Sequence, residues 1–121
     1  MPDLPVVQKT FDLIKWYLPI LNRLAKPYKF GLGDRMTHIL YDLLENLIIA
    51  RYSQNKIHIL ESLNAKVDIL RHQTRLLLEL SLIKESTYEH ANKIIHEIGS
   101  EIGGWLKQQK TKKYEPREIY R

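Results

Sequence analysis

The sequence contains no cysteine, and it has only five glycines and five prolines in 121 residues. The lack of cysteine excludes disulfides, thiolate nucleophiles and cysteine-ligated metals, and it fits a reducing compartment. The small amounts of glycine and proline exclude a low-complexity chain. Apolar residues make up 44% of the sequence, which is enough for a packed core, and the length predicts one domain.

Long apolar runs are also missing. The longest stretch without Asp, Glu, Lys or Arg covers residues 16–22, whereas a membrane-spanning helix needs about 20 apolar residues. The first residues lack the basic-then-apolar pattern of a signal peptide. We therefore expect no membrane segment and a cytoplasmic location.

Positive charge is concentrated near the C-terminus. The net charge is +5, and residues 105–121 contribute +4 of it through six basic and two acidic side chains. The basic set includes Lys107, Lys110, Lys112 and Lys113. Such a segment suits an anionic partner such as nucleic acid, and the alternative is that it only aids solubility.

Apolar residues recur at helical spacing in four segments, and no segment alternates with the period of a strand. The predicted helices cover residues 6–25, 33–53, 55–83 and 86–109, and residues 26–33 interrupt the pattern as a linker. Because the later connections are short, neighbouring helices are antiparallel. The sequence predicts an all-α, antiparallel up-down four-helix bundle over residues 1–109, followed by a basic tail over residues 110–121.

The apolar residues that define these helices give the expected core. The first helix should bury Val7, Phe11, Ile14, Leu18 and Leu21. Leu44, Ile48 and Ile49 widen the apolar face of the second helix. A capping box formed by Ser86 and Glu89 should begin the fourth.

The predicted third helix carries two apolar stripes. The first is an ordinary bundle seam of Leu63, Val67, Leu70, Thr74, Leu77 and Ser81. The second lies about a third of a turn away and consists of Ala65, Ile69, Leu76, Leu80 and Ile83. A helix facing one core needs only one stripe, so the second favours an interface with another subunit. The alternative is a wide seam at the bundle centre.

A polar strip on the same helix contains Arg71 and Arg75. Their spacing to Asp68 and Glu79 is that of intrahelical ion pairs, each contributing about 0.2–0.5 kcal/mol. The functional alternative is an always-charged patch for phosphate or an acidic protein surface. Spacing alone favours the ion pairs.

Two glycines, Gly99 and Gly103, lie one turn apart inside the predicted fourth helix. An interior glycine costs about 1 kcal/mol relative to alanine. The pattern predicts close approach by a neighbouring helix, and the alternative is a ligand lying against the glycines.

The sequence contains no recognisable catalytic or metal-binding pattern. No Asp or Glu is followed three residues later by His, as di-iron bundles require, and the five histidines have no zinc-like spacing. The segment 31–35 lacks the Gly-Lys-Ser/Thr ending of a phosphate loop. We expect no metal, no cofactor and no enzymatic activity.

Several strings resemble one known family when taken together. They are WYLP at 16–19, LAKP at 24–27, FGLG at 30–33, LRHQTRL at 70–76 and EIGSEIGGWLK at 97–107. Their order and spacing are similar to those of the accessory variability determinant (Avd) proteins of diversity-generating retroelements. These proteins are related to four-helix proteins encoded in intervening sequences of bacterial ribosomal RNA genes.

The resemblance implies a non-catalytic four-helix protein that assembles into a basic, pentameric barrel. It implies binding to the element's reverse transcriptase and to RNA or DNA in support of mutagenic retrohoming. Arg71 and Arg75 match the family's Leu-Arg-x-x-x-Arg pattern, which makes them the first candidates for that contact. Lys107, Lys110, Lys112 and Lys113 are secondary candidates.

One departure limits the resemblance. Many relatives have a basic residue where Ser100 or Glu101 stands here, which weakens the case for a binding surface along the fourth helix. The alternative function is a self-associating structural protein of the intervening-sequence type, without a polymerase partner.

Overall fold

The computed structural model of the chain describes residues 4–114, and of Tyr114 only the backbone. This part contains four long helices and two short helical elements, and it has no strand. The elements are α1 (Pro5–Asn22), α2 (Lys26–Tyr28), a π-helical turn (Lys29–Gly33), α3 (Asp34–Tyr52), α4 (Ile57–Glu79) and α5 (Glu85–Tyr114). The predicted four-helix bundle is confirmed, with α1, α3, α4 and α5 as its helices.

Each long helix packs against the next one along the chain, and α5 packs against α1 to close the ring. Helices α1 and α4 are therefore diagonally opposite each other. The core is almost entirely aliphatic, and the predicted seam of α4 is buried from Leu63 to Leu77. On α5 the buried positions are Ala91, Ile95, Ile98, Ile102 and Leu106.

The buried face of α1 is rotated from the one that the sequence predicted. Phe11 is 48% exposed, and Leu18 is only partly buried. The centre of the face is instead formed by Thr10, Leu13 and Tyr17, all fully buried. The prediction counted only apolar residues, and it missed that Thr10 satisfies its hydroxyl within the helix by donating to the Val6 carbonyl oxygen at 2.8 Å.

The predicted linker is helical. Residues 26–33 form α2 and the π-helical turn, which leads directly into α3. Pro27 lies at the start of α2, where its missing N–H is not needed. The prediction treated this proline and the two glycines of the segment as helix breakers, whereas Pro27 starts a helix and both glycines have ordinary negative φ.

Helix α4 ends at Glu79, four residues before the predicted end. Ser81 has a φ of 58°, which is left-handed backbone. The N–H of Leu82 donates to the Leu77 carbonyl oxygen at 2.9 Å, and the N–H of Ser81 donates to the Leu78 carbonyl oxygen at 2.9 Å. This pair of bonds is a Schellman motif, with serine at the position that glycine usually takes.

Helix α5 extends beyond its predicted limits at both ends. It begins at Glu85, so Ser86 lies inside the first turn and is not the N-cap of a capping box. It continues to Tyr114, and Lys110, Lys112 and Lys113 therefore lie on the helix. The rest of the predicted tail, residues 115–121, lies outside the described residues.

Candidate nucleic-acid interface

Arg71 and Val67 of α4 pack closely against Gly99 of α5. A Cβ atom at Gly99 would lie 3.2 Å from Arg71 Nη2 and 3.2 Å from Val67 Cγ1. Such distances are tighter than ordinary van der Waals contact, so a larger residue would displace one of these side chains. The absence of a side chain at Gly99 therefore sets the position of the Arg71 guanidinium on the surface of the bundle.

Both arginines form the intrahelical pairs that their spacing predicts. Arg71 Nη1 lies 3.3 Å from Asp68 Oδ1, and Arg75 Nε donates to Glu79 Oε2 at 2.6 Å. The hydrogen bond to Glu79, with the charge of that carboxylate, raises the pKa of Arg75 above its usual value. These are solvent-exposed pairs that contribute little to stability, and each uses only part of a guanidinium with five N–H donors.

A shallow groove of about 250 Å³ lies between the two helices beside these arginines. It is lined by Arg71, His72, Arg75, Tyr88 and Asn92. The lining combines two guanidiniums with an imidazole, a phenol and an amide, and the carboxylates that pair with the guanidiniums, Asp68 and Glu79, partly offset their charge. Such a set of donors fits a phosphate group or an acidic side chain.

The orientation of His72 follows from its neighbour in the same helix. Its Nδ1 lies 2.8 Å from the backbone carbonyl oxygen of Asp68. Because a carbonyl oxygen can only accept, Nδ1 carries a proton and donates it. This bond anchors the ring to α4 at one edge of the groove.

The C-terminal lysines lie elsewhere on α5. Lys107 and Lys112 line a second shallow groove with Gly104, Gln108 and Thr111. Lys110 Nζ lies 3.3 Å from Glu61 Oε2 of α4. Lys110 is eleven residues, about 16 Å of helix, beyond Gly99. The structure therefore does not bring the two predicted groups of basic residues into one site.

Glu101 is the acidic residue of α5 that departs from the family resemblance, and its side chain is directed toward α1. Its Oε2 forms an ion pair with Lys9 Nζ at 2.5 Å, and this contact with Glu101 is the main reason that the pKa of Lys9 is raised above its usual value. Glu101 therefore pairs with a cation on the side of α5 that faces α1, away from the Arg71 groove. Its charge does not oppose an anion bound at that groove.

A family model described as bAvd-like matches residues 4–109 of this sequence, which is most of the chain. The chain belongs to the bAvd-like family. This Avd family is an accessory, non-catalytic one, and its members are associated with diversity-generating retroelements. A comparison with curated proteins finds no match.

The bAvd-like match includes the whole Arg71 groove but ends at residue 109. Lys110, Lys112 and Lys113 lie beyond it. Of the predicted basic contacts, Arg71, Arg75 and Lys107 therefore fall within the part of the chain that carries the family resemblance.

The second apolar stripe of this bAvd-like protein is largely on the surface. Ile69, Leu76 and Leu80 are 48%, 46% and 43% exposed. The alternative of a wide seam at the bundle centre is therefore wrong for these three residues. Ile83 differs, since it is partly buried against the core of its own chain beyond the end of α4.

Helix α3 carries further exposed apolar side chains, which were not predicted. Ile48 and Ile49, predicted to widen the core face, are 43% and 52% exposed. Tyr41 and Tyr52 are exposed on the same helix. Their helical spacing was the available signal, but periodicity does not distinguish a broad core face from a second surface face.

Gly103 has no close neighbour, in contrast to Gly99. A Cβ atom at Gly103 would meet nothing within 4 Å, and the same is true of Gly104. Within this chain, the close approach predicted for both glycines is found only at Gly99. Helix packing at Gly103 remains a prediction that needs a second chain.

Other functional classes have no structural counterpart in residues 4–114. No group of three or more His, Cys, Asp or Glu side chains in that range is arranged to hold a metal ion. None of the helices there combines the length and the apolar character needed to cross a membrane.

Proposed function

We propose that this bAvd-like protein is an adaptor that binds the reverse transcriptase of a diversity-generating retroelement and helps to hold its template RNA or cDNA. It would support mutagenic retrohoming in the cytoplasm without catalysing a step itself. The observation that carries the proposal is the groove lined by Arg71 and Arg75 in a chain of this family.

The chemistry of the groove favours contacts to phosphate or to acidic side chains of a polymerase. A guanidinium binds two oxygens of a phosphate or carboxylate at once, and it remains charged at any physiological pH. Contacts of this kind position a nucleic acid without reading its sequence. We therefore propose sequence-independent binding, with Lys107, Lys110, Lys112 and Lys113 adding a second region of positive charge along α5.

A salt titration tests the nucleic-acid part of the proposal. Labelled single-stranded RNA would be bound by the wild type and by the R71A/R75A double variant at several salt concentrations. Loss of two phosphate contacts should lower the slope of log affinity against log salt by about 1.4. The charge-matched control K15A/K93A removes two exposed lysines elsewhere and should leave the slope nearly unchanged. Affinity independent of salt in the wild type would contradict the proposal.

We also propose that the protein forms a homo-oligomer, with the pentameric barrel as the expected form. The support is the exposed stripe of Ile69, Leu76 and Leu80, because exposed apolar surface that recurs along one helix is typical of an interface. In a ring, each subunit would repeat the Arg71 groove around the axis.

Light scattering with charge substitutions tests the assembly. L76E should dissociate the oligomer, since a carboxylate would be buried at the interface without a partner. I49E introduces the same charge at an exposed isoleucine of α3 outside the stripe and should not. A wild type that is monomeric at micromolar concentration, or equal effects of the two substitutions, would contradict the proposed interface.

The exposed stripe also favours a second candidate function. A self-associating structural protein of the intervening-sequence type would use the same stripe for assembly but would have no polymerase partner. Assembly through Leu76 together with no binding of RNA or polymerase would support this alternative.

A further inference from the structure

A second surface with the character of a binding site lies at the turn between α1 and α3. Phe30, one of only two phenylalanines in the chain, is 64% exposed there. Because most of its ring stays in contact with water, the fold gains little stability from this phenylalanine. The Phe30 side chain belongs neither to the core nor to the Arg71 groove.

The backbone that carries Phe30 is well ordered by its own contacts. The N–H groups of Tyr28 and Lys29 both donate to the Ala25 carbonyl oxygen, at 2.9 and 2.8 Å. A Cβ atom at Gly33 would lie 3.3 Å from the Tyr28 carbonyl oxygen, so the turn is tightly packed. Leu32 anchors it to the core. The phenyl ring is thus presented on a fixed support, and π-helical turns such as this one are frequent at functional sites.

Two lysines flank the ring. Lys29 Nζ lies 5.3 Å from the centre of the Phe30 ring, and Lys26 is four residues before Phe30 on the same helical stretch. Between residues 16 and 33 the sequence contains no acidic residue, whereas it has Arg23, Lys26 and Lys29. Asp34, four residues after Phe30, is the acidic residue nearest in sequence, so basic residues outnumber acidic ones around the exposed ring.

Space is available beside the ring. A Cβ atom at Gly31 would meet nothing within 4 Å. The φ of Gly31 is not positive, so the backbone does not require glycine here. Glycine at this position leaves the surface next to Phe30 without a protruding side chain, which suits a flat ligand.

We propose that Phe30, with Lys26 and Lys29, is a stacking site for an unpaired base of single-stranded nucleic acid. An exposed ring with flanking cations is the arrangement that single-strand binders use, in which the ring stacks on the base and the lysines contact the adjacent phosphates. Bases inside a duplex are already stacked and cannot reach the ring. An apolar protein partner fits less well, because such contacts need apolar surroundings that exclude water.

This inference rests on the proposed function, because it assumes that the protein binds nucleic acid. It concerns a separate site, however, and that site prefers unpaired bases. Phosphate contacts at the Arg71 groove do not distinguish bases, whereas stacking on Phe30 requires an unpaired base. The new site therefore predicts a preference for single strands over duplexes, which the Arg71 groove does not supply.

Binding of three probes to full-length variants tests the proposal. The probes are a labelled poly-uridine RNA, its duplex with poly-adenosine, and an abasic strand with the same number of phosphates. F30A should bind the single strand about tenfold more weakly than the wild type, and it should bind the duplex and the abasic strand like the wild type. F30W should retain wild-type affinity, while F30L should behave like F30A.

Tyr52 provides a matched control. It is an exposed aromatic residue at the far end of α3, with the Arg51 guanidinium 5.7 Å from its ring centre. Y52A should leave all three affinities unchanged. Equal losses in F30A and Y52A, an equal loss of F30A affinity for the abasic strand, or a changed oligomeric state of F30A would overturn the proposal.

The R71A/R75A variant separates this site from the proposed function. A loss of affinity in R71A/R75A with none in F30A would leave the adaptor function standing and refute the stacking site. A loss of affinity in F30A with none in R71A/R75A would support the stacking site and refute nucleic-acid binding at the Arg71 groove.

Discussion

The phenolic oxygen of Tyr17 lies 2.8 Å from the hydroxyl oxygen of Thr74. Tyr17 is on α1 and Thr74 is on α4, so this hydrogen bond crosses the diagonal of the bundle. Both residues are fully buried. In a core that is otherwise almost entirely aliphatic, the bond fixes the rotation and the height of α1 relative to α4.

Removing one partner of this bond should destabilise the protein more than removing both. Y17F leaves the Thr74 hydroxyl without its interhelical partner and should lower the free energy of unfolding by about 1–2 kcal/mol. T74V leaves the Tyr17 hydroxyl unpaired and should act similarly. The Y17F/T74V double variant should lose clearly less than the sum of the two, as measured by urea unfolding. Strictly additive losses would show that the two hydroxyls do not interact.

The same tyrosine makes stability depend on alkaline pH. Burial raises the pKa of Tyr17 to about 12, and the hydrogen bond with Thr74 only partly opposes this effect. The unfolded chain releases the proton near pH 10 and the folded chain near pH 12. The stabilisation that comes from the protonated Tyr17 is therefore complete below pH 10. As the pH rises toward 12 it is lost, and the free energy of unfolding falls by about 1.4 kcal/mol per pH unit.

Urea unfolding of the wild type and Y17F across this range measures the effect. The stability advantage of the wild type should shrink above about pH 10, because only the wild type carries this titrating group. An advantage that stays constant up to pH 12 would mean that Tyr17 titrates like an exposed tyrosine.

The four long helices could be predicted from the sequence, because a helix is the structure that places aliphatic side chains with this spacing on one face. The α4 seam from Leu63 to Leu77 is buried as predicted. The hydrogen bond between Tyr17 and Thr74 could not be predicted, since the two residues are 57 positions apart and their contact depends on the relative height of two helices. The contact of Arg71 with Gly99 depends on interhelical register in the same way.

The ends of helices and the turns between them were harder to predict than the helices themselves. Ser81 takes left-handed backbone without the glycine that usually signals it, so the end of α4 was predicted too late. The segment 26–33 contains a proline and two glycines, yet it is helical, because the proline starts the turn and both glycines have negative φ. Local composition was misleading at both places, where hydrogen bonds within the turn decide the structure.

The two glycines of α5 should respond differently to alanine. G103A should raise the free energy of unfolding by about 1 kcal/mol, because alanine is the better helix former and the added methyl group meets open space. G99A should gain less or lose stability, since its Cβ crowds Arg71 and Val67 at 3.2 Å.

Thermal unfolding of the two variants compares them directly, with the oligomeric state checked for each. Equal gains would show that Arg71 and Val67 move aside freely. A G103A variant that assembles less well than the wild type would support packing of Gly103 against a second chain.

Ser81 offers a direct test of backbone strain. S81G should raise the free energy of unfolding by about 0.5 kcal/mol, because relief of roughly 1 kcal/mol of left-handed strain exceeds the extra flexibility of unfolded glycine. S81V should lower it by about 1 kcal/mol or more, since a β-branched residue tolerates this conformation poorly. Guanidinium unfolding would reveal both effects. The reverse order of S81G and S81V would contradict the Schellman end of α4.

The most direct test of the adaptor function is retention of a retroelement reverse transcriptase from the same source. Tagged wild type, R71A/R75A and the charge-matched K15A/K93A would be purified with the polymerase and RNA present, after helicity and assembly are shown to be equal. Wild type and K15A/K93A should retain the polymerase and R71A/R75A should lose it, since only the last removes the groove's charge. Failure of the wild type to retain the polymerase would contradict the adaptor function.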